Sequence, residues 1–94
     1  METKWLRKAA ANLEAEYLYI AQDDLQAASQ FVDEVQRVTK LLPQQPAVGR
    51  PGRVPGTREL VLMHYPYIIP YRVKNNMIQI LRVFHTHRRL PSKW

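Results

Sequence analysis

The 94-residue chain contains no cysteine, which excludes a disulfide framework, a thiolate zinc site and a cysteine nucleophile. Long apolar runs are missing as well. The opening segment METKWLRKAAANLEAEYLYI interleaves charges with its apolar positions, so it lacks the core of a signal peptide, and no later run is long enough to span a bilayer. The expectation is a soluble, cytoplasmic protein that does not engage a membrane. Glycine is scarce, and all three glycines fall within residues 43–56. Prolines interrupt them and remove amide donors that a phosphate-cradling glycine loop needs. Serine occurs only at Ser29 and Ser92, neither in the setting of a nucleophile elbow. Acid is scarce in the second half. Residues 43–94 hold nine Lys or Arg and a single acid, Glu59, for a net of +8, whereas residues 1–42 hold five against seven, a net of −2. Such asymmetry points to an anionic partner for the C-terminal half, either nucleic acid or an acidic protein.

The length suits one domain, residues 1–94, with a modest core. Leu6, Ala10, Leu13, Tyr17 and Ile20 recur with helical spacing and predict a first helix over about residues 7–21. Asp23, three residues before Gln26, has the spacing of an N-cap with its capping-box partner. Beyond it Ala28, Phe31, Val35, Val38 and Leu42 share one face of a second helix, which Pro43 stops. The stretch PQQPAVGRPGRVPG, residues 43–56, is a basic loop. Three candidate strands follow with no further helix, Thr57–His64, Pro66–Val73 and Met77–His85, and Lys4-Trp5 is a candidate edge strand. Helices first and an antiparallel meander after them give an α+β class, a helical hairpin packed on a small curved sheet.

Asn75-Asn76 reads as a two-residue hairpin loop, since asparagine enters left-handed conformations readily. The register that follows pairs Val73 with Ile78, Tyr71 with Ile80, Ile69 with Arg82 and Tyr67 with Phe84. Those residues would share one face of the sheet. The opposite face would carry Ile68, Pro70, Arg72, Gln79, Leu81, Val83 and His85, an apolar strip edged by Arg72 and His85 and open to a partner. Pro70 is at odds with this scheme, because proline belongs at an edge or a bulge.

Among catalytic readings, an arginine-histidine ribonuclease is the sharpest. His85 and His87 would move protons, and Arg58, Arg72, Arg82 and Arg88 would stabilise the phosphorane-like charge. Against it, strand-end histidines and isolated strand arginines more often serve structure. His85 and His87 share a strand face with the spacing of a chelate, but with only His64 besides and no carboxylate near, no metal site is expected. Neither a cofactor nor a small-molecule ligand is expected. Arg88, Arg89 and Lys93 are candidates for phosphate contacts, with Trp94 as a stacking group.

Gly49-Arg50 in the loop, Arg58-Glu59-Leu60 opening a strand, Tyr71-Arg72-Val73, and Ile80-Leu81-Arg82-Val83 followed by His85 and Arg88 resemble the RelE/ParE superfamily of bacterial toxins. The resemblance runs from Trp5 to Pro91 and is closest to the ParE-like, or plasmid stabilisation, members. It implies two N-terminal helices on a curved antiparallel sheet and the toxin role in a type II toxin-antitoxin system, neutralised by a cognate acidic antitoxin. RelE-like members cut mRNA on the ribosome; ParE-like members inhibit DNA gyrase and are not nucleases. Where the RelE-like branch places a catalytic arginine in the middle strand, this chain has Ile68, which favours the gyrase branch over the endoribonuclease alternative. Arg58, Arg72, Arg82, His85 and Arg88 are then expected to form a binding surface for target or antitoxin. On the alternative reading Arg72, His85, His87 and Arg88 are the catalytic candidates.

Overall fold

The structure, a computed structural model, describes all residues from Met1 to Trp94. A strand β1, Glu2–Trp5, leads directly into helix α1, Arg7–Ala21, and after a short turn into α2, Leu25–Thr39. Five strands follow: β2 Arg50–Pro51, β3 Arg58–Val61, β4 Tyr67–Lys74, β5 Met77–Ile80 and β6 Phe84–His85. They assemble in the order β1-β5-β4-β3-β2, with β6 also on β4. All pairings are antiparallel except β1 on β5, so the edge strand foreseen at Lys4-Trp5 makes the sheet mixed. This is the expected α+β architecture, two helices on one face of a small sheet.

Helix α1 has the predicted span, but its turn toward the sheet differs. Its deeply buried positions are Ala9 and Glu16, while Leu13 and Ile20 only flank the core. Helix α2 is cleanly amphipathic, with Ala28, Phe31 and Val35 fully buried. Its N-cap is Asp24, not Asp23: the Asp24 carboxylate accepts from the Ala27 amide at 3.0 Å, and Asp23 belongs to the preceding turn, its amide bonded to the Ile20 carbonyl. The helix ends at Thr39, ahead of Pro43. Leu42 nevertheless reaches the core from the turn that follows.

The Asn-Asn loop is as read from the sequence. Asn75 and Asn76 both have positive φ, 54° and 57°, the pattern of the hairpin turn whose twist matches the strands. Val73 pairs with Ile78 and Tyr71 with Ile80. Beyond Ile80 the predicted register fails, because Ile68 opposes Phe84 and Tyr67 opposes His85. One extra residue has entered over Leu81–Val83, a bulge, and every side chain past it changes face. Val83 therefore joins the helix-side core, and the ring of His85 meets that of Tyr67 at 5.0 Å. Pro70 sits opposite this break: its carbonyl accepts from the Leu81 amide, so its missing N–H falls on the side where pairing is interrupted.

The helix-facing side of the sheet is packed with Tyr67, Ile69, Tyr71, Ile78 and Ile80 against Phe31 and Val35. The outer face, expected to stay open, is largely closed. Ile68 and Pro70 are almost inaccessible, because the 50–57 loop and Trp94 lie over that side. Trp94 donates its indole N–H to Thr57 at 3.3 Å and packs on Phe84, with centroids 5.6 Å apart. Arg53 stands over the same indole at 5.7 Å.

Candidate functional site

Three groups of polar side chains decorate this frame. The first fastens the proline-rich loop. The Tyr71 hydroxyl donates to the Pro46 carbonyl at 2.8 Å and accepts from the Gly49 amide at 2.9 Å. Arg58 adds donations to the carbonyls of Gly49, at 2.8 Å, and Ala47, at 3.3 Å. A Cβ on Gly49 would stand 2.7 Å from the Tyr71 ring, so the glycine is needed for this close approach. Next to it, Glu59 is buried, with 2% of its surface exposed. It accepts from Arg50 Nη2 at 3.0 Å, from the Arg53 amide at 3.0 Å and from Arg53 Nε at 3.4 Å. Burial pushes the Glu59 carboxyl up, and the bonds from Arg53 and Arg50 together outweigh it, holding it below the usual carboxylate range.

The second group lies along the edge where α1 meets β6 and the tail. Glu16 accepts from the Tyr67 hydroxyl and from Arg88 Nη1, both at 2.6 Å. Burial, then the hydrogen bond to Glu16, pushes the Tyr67 phenol far above its ordinary value. Its proton thus stays in place at any ordinary pH. His85 packs on Tyr67, and His87 on His85 at 5.1 Å. Burial first, then the charges of Arg88 and His87, lowers the His85 pKa below its ordinary value. The shift favours the neutral imidazole, whose Nδ1 accepts from the His87 amide at 3.1 Å. Arg88 also covers the ring of the exposed Tyr19.

The third group is on the outer face. Arg72 projects there and is held by Gln79 across the strand pair, Nε to Oε1 at 2.7 Å. Arg7 and Lys8 of α1 line the same depression, together with Leu81 and Trp94.

The four arginines and one histidine singled out from the sequence are thus not one cluster. Arg58 is tied to loop carbonyls, and Arg88 to Glu16. Arg82 donates to the Asn12 side chain at 2.8 Å and to the backbone oxygen of Trp94 at 3.2 Å, and lies over Phe84; no Asp or Glu pairs with it. The catalytic alternative is divided by the sheet, with Arg72 on the outer face and His85, His87 and Arg88 at the α1 edge. The sequence reading has no role for Glu16 and Asn12 and gives Tyr67 only a place in the strand register, since nothing in their local pattern shows which distant group they meet. Arg7 and Lys8 carried a signal that was legible: cations at a helix start, where the dipole favours acids.

Along the other side of α1, the half-covered stripe Trp5, Ala10, Leu13, Tyr17 and Val32 lines an apolar groove of about 400 Å³. At the hairpin tip Leu18, Tyr19 and Leu25 are exposed. No helix is long and apolar enough to cross a membrane, and no group of His and acidic residues is arranged to hold a metal ion.

Residues 3–90 match the family described as ParE toxin of type II toxin-antitoxin system, parDE. The chain is 42% identical over 89 residues to a protein of Sinorhizobium fredii named "Putative toxin Y4kP", an alignment covering 95% of this chain and 92% of that protein. Its fold is similar to that of a solved chain described as the chromosomal ParDE TA system from P. aeruginosa. The TM-score there is 0.83 and the identity 40%, over 93% of this chain and 97% of that one. Matches of this extent mean that the chain belongs to the ParE toxin family of type II toxin-antitoxin systems.

Proposed function

We propose that the protein acts by binding, as a ParE-like toxin that inhibits DNA gyrase and is neutralised by a cognate acidic antitoxin. The observation that carries this reading is the separation of the catalytic candidates. Acid-base cleavage of RNA needs a proton-transfer pair and its charge stabiliser around one phosphate. Here the sheet stands between Arg72 and the two histidines, and Arg88 is already neutralised by Glu16 at 2.6 Å. Ile68, at the position where RelE-like toxins carry an arginine, is 1% exposed and reaches no substrate.

On this reading Arg72, His85 and Arg88 are contact residues on two separate faces, while Arg58 and Arg82 hold the loop and the tail in shape. An antitoxin is supported by the P. aeruginosa relative, which is described as part of a ParDE system. The apolar groove along α1 suits an amphipathic segment, and the +8 balance of residues 43–94 suits an acidic one, by burial and by steering.

Gyrase supercoiling and the integrity of translated mRNA, measured in parallel with the purified protein, test the reading. Blocked supercoiling with intact mRNA, relieved by the antitoxin, is expected. Cleavage of mRNA at codon positions with supercoiling unaffected would overturn it.

A further inference from the structure

The outer-face depression is a cavity of about 550 Å³ between the first turn of α1, the Val54–Thr57 turn and Trp94. Three of its ten lining residues, Arg7, Lys8 and Arg72, are cations, and none is an Asp or Glu. No Asp or Glu pairs with any of them, the side-chain ion pairs of the structure being those of Arg37, Arg50, Arg53 and Arg88. Arg72 is oriented through Nε by Gln79, which leaves both its terminal nitrogens without a protein acceptor. The first turn of α1 adds to the same field. It has no side-chain cap and no acid, and its leading amides have no acceptor within the helix.

Folding alone does not account for this arrangement. Cations at a helix N-terminus oppose the dipole, and a third cation facing them across a concavity adds repulsion. An anion in the cavity would reverse both terms. We propose that this cavity is a phosphate-binding site, taking a phosphate or pyrophosphate group that carries a nucleotide-sized body. A carboxylate brings one charge and two oxygens. A phosphate brings nearly two charges and three acceptors, and so matches three cations and a row of free amides better. Leu81 and Trp94 offer apolar surface for the rest of the ligand, and the volume lies within the range of small-molecule sites. The site is independent of the gyrase reading, because it requires only this protein and a phosphate.

Amide and indole NMR spectra of the full chain, titrated with pyrophosphate, a nucleoside triphosphate or a short single-stranded oligonucleotide, test the proposal. Saturable shifts of the Arg7 and Lys8 amides and the Trp94 indole N–H are expected with pyrophosphate. The double variant Lys8→Gln, Arg72→Gln should weaken binding by about tenfold or more. Lys40→Gln, an exposed cation just past the end of α2 and outside the cavity, should leave it unchanged. Lys8→Gln alone, at an exposed position, gives the same reading with less effect should the double variant fail to fold. Tighter binding of the triphosphate than of the oligonucleotide would identify a free nucleotide as the source, and the reverse order the phosphates of a strand; either supports the site. No saturation with any phosphate probe, unchanged binding in the variants, or binding of hexaglutamate without pyrophosphate would overturn it.

Discussion

Replacing Glu59 with glutamine removes a charge while preserving shape, at the one buried acid of the basic half. The carboxylate accepts four donations, from Arg50 Nε and Nη2 and from the amide and Nε of Arg53. Glutamine keeps one oxygen for these donors and turns an NH2 toward the others, so at least two charge-assisted bonds are lost. Each such bond is worth roughly 1.5–3 kcal/mol where both partners are dry. The guanidiniums are not dry: 55% of the Arg50 side chain and 41% of that of Arg53 are exposed, and water recovers part of the loss. A net destabilisation of about 2 kcal/mol is therefore expected, a fall in melting temperature of roughly 8–16 °C for a chain of this size. Linkage supplies a second signature. The folded carboxyl lies below its ordinary value of 4.5, so its stabilisation is fully present above that pH and is lost as pH falls through the folded value. Urea unfolding of both proteins across that range should show a deficit at neutral pH that closes on acidification. A neutral-pH deficit under ~0.5 kcal/mol, the scale of an ordinary surface substitution, or a deficit constant into acid, would refute the account of the 50–57 loop as held by this carboxylate.

Gly49→Ala should destabilise by about 1–3 kcal/mol in urea unfolding, because the new methyl meets the fully buried Tyr71 ring at 2.7 Å and the Glu59 carbonyl at 3.0 Å; an unchanged midpoint would sink the close-approach argument. The His85 ring should titrate below its ordinary 6.5 when followed by NMR, with a midpoint at or above that value refuting its burial against Tyr67. Since the unfolded histidine binds its proton more tightly, the stabilisation is present above 6.5 and declines as pH falls through the folded value, and His85→Gln should remove that part of the pH dependence.

Which features were readable depended on the range over which their causes act. Both helices, the proline stop and the Asn-Asn turn follow from periodicity and local backbone preference, and Val73–Ile78 and Tyr71–Ile80 follow from the turn by counting. The N-cap was read one residue early because Asp23 and Asp24 are chemically equal candidates, and the tertiary course of the turn chooses between them. The two-residue strand β2 left no periodic trace at all, being too short to alternate. It exists because Glu59 and Tyr71 fasten the loop beside β3.

The bulge at Leu81–Val83 was missed for a longer-range reason, and it governs where the functional side chains face. Its amides need a partner that an unbroken ladder would have supplied. Asn12 supplies it from α1, accepting from the Val83 amide at 3.2 Å while also holding Arg82. A residue seventy positions away thus sets the face of every side chain after it. Pro70 marked the place in advance, since a proline in a central strand requires a break in the ladder on the side of its missing donor. Carrying that constraint through the register would have moved His85 from the outer face to the Tyr67 side. The same constraint sets Arg72 apart from the histidines on sequence grounds alone. The division between a cationic outer face and a histidine-bearing edge follows from one extra residue in one strand, and that division weighs for binding over cleavage.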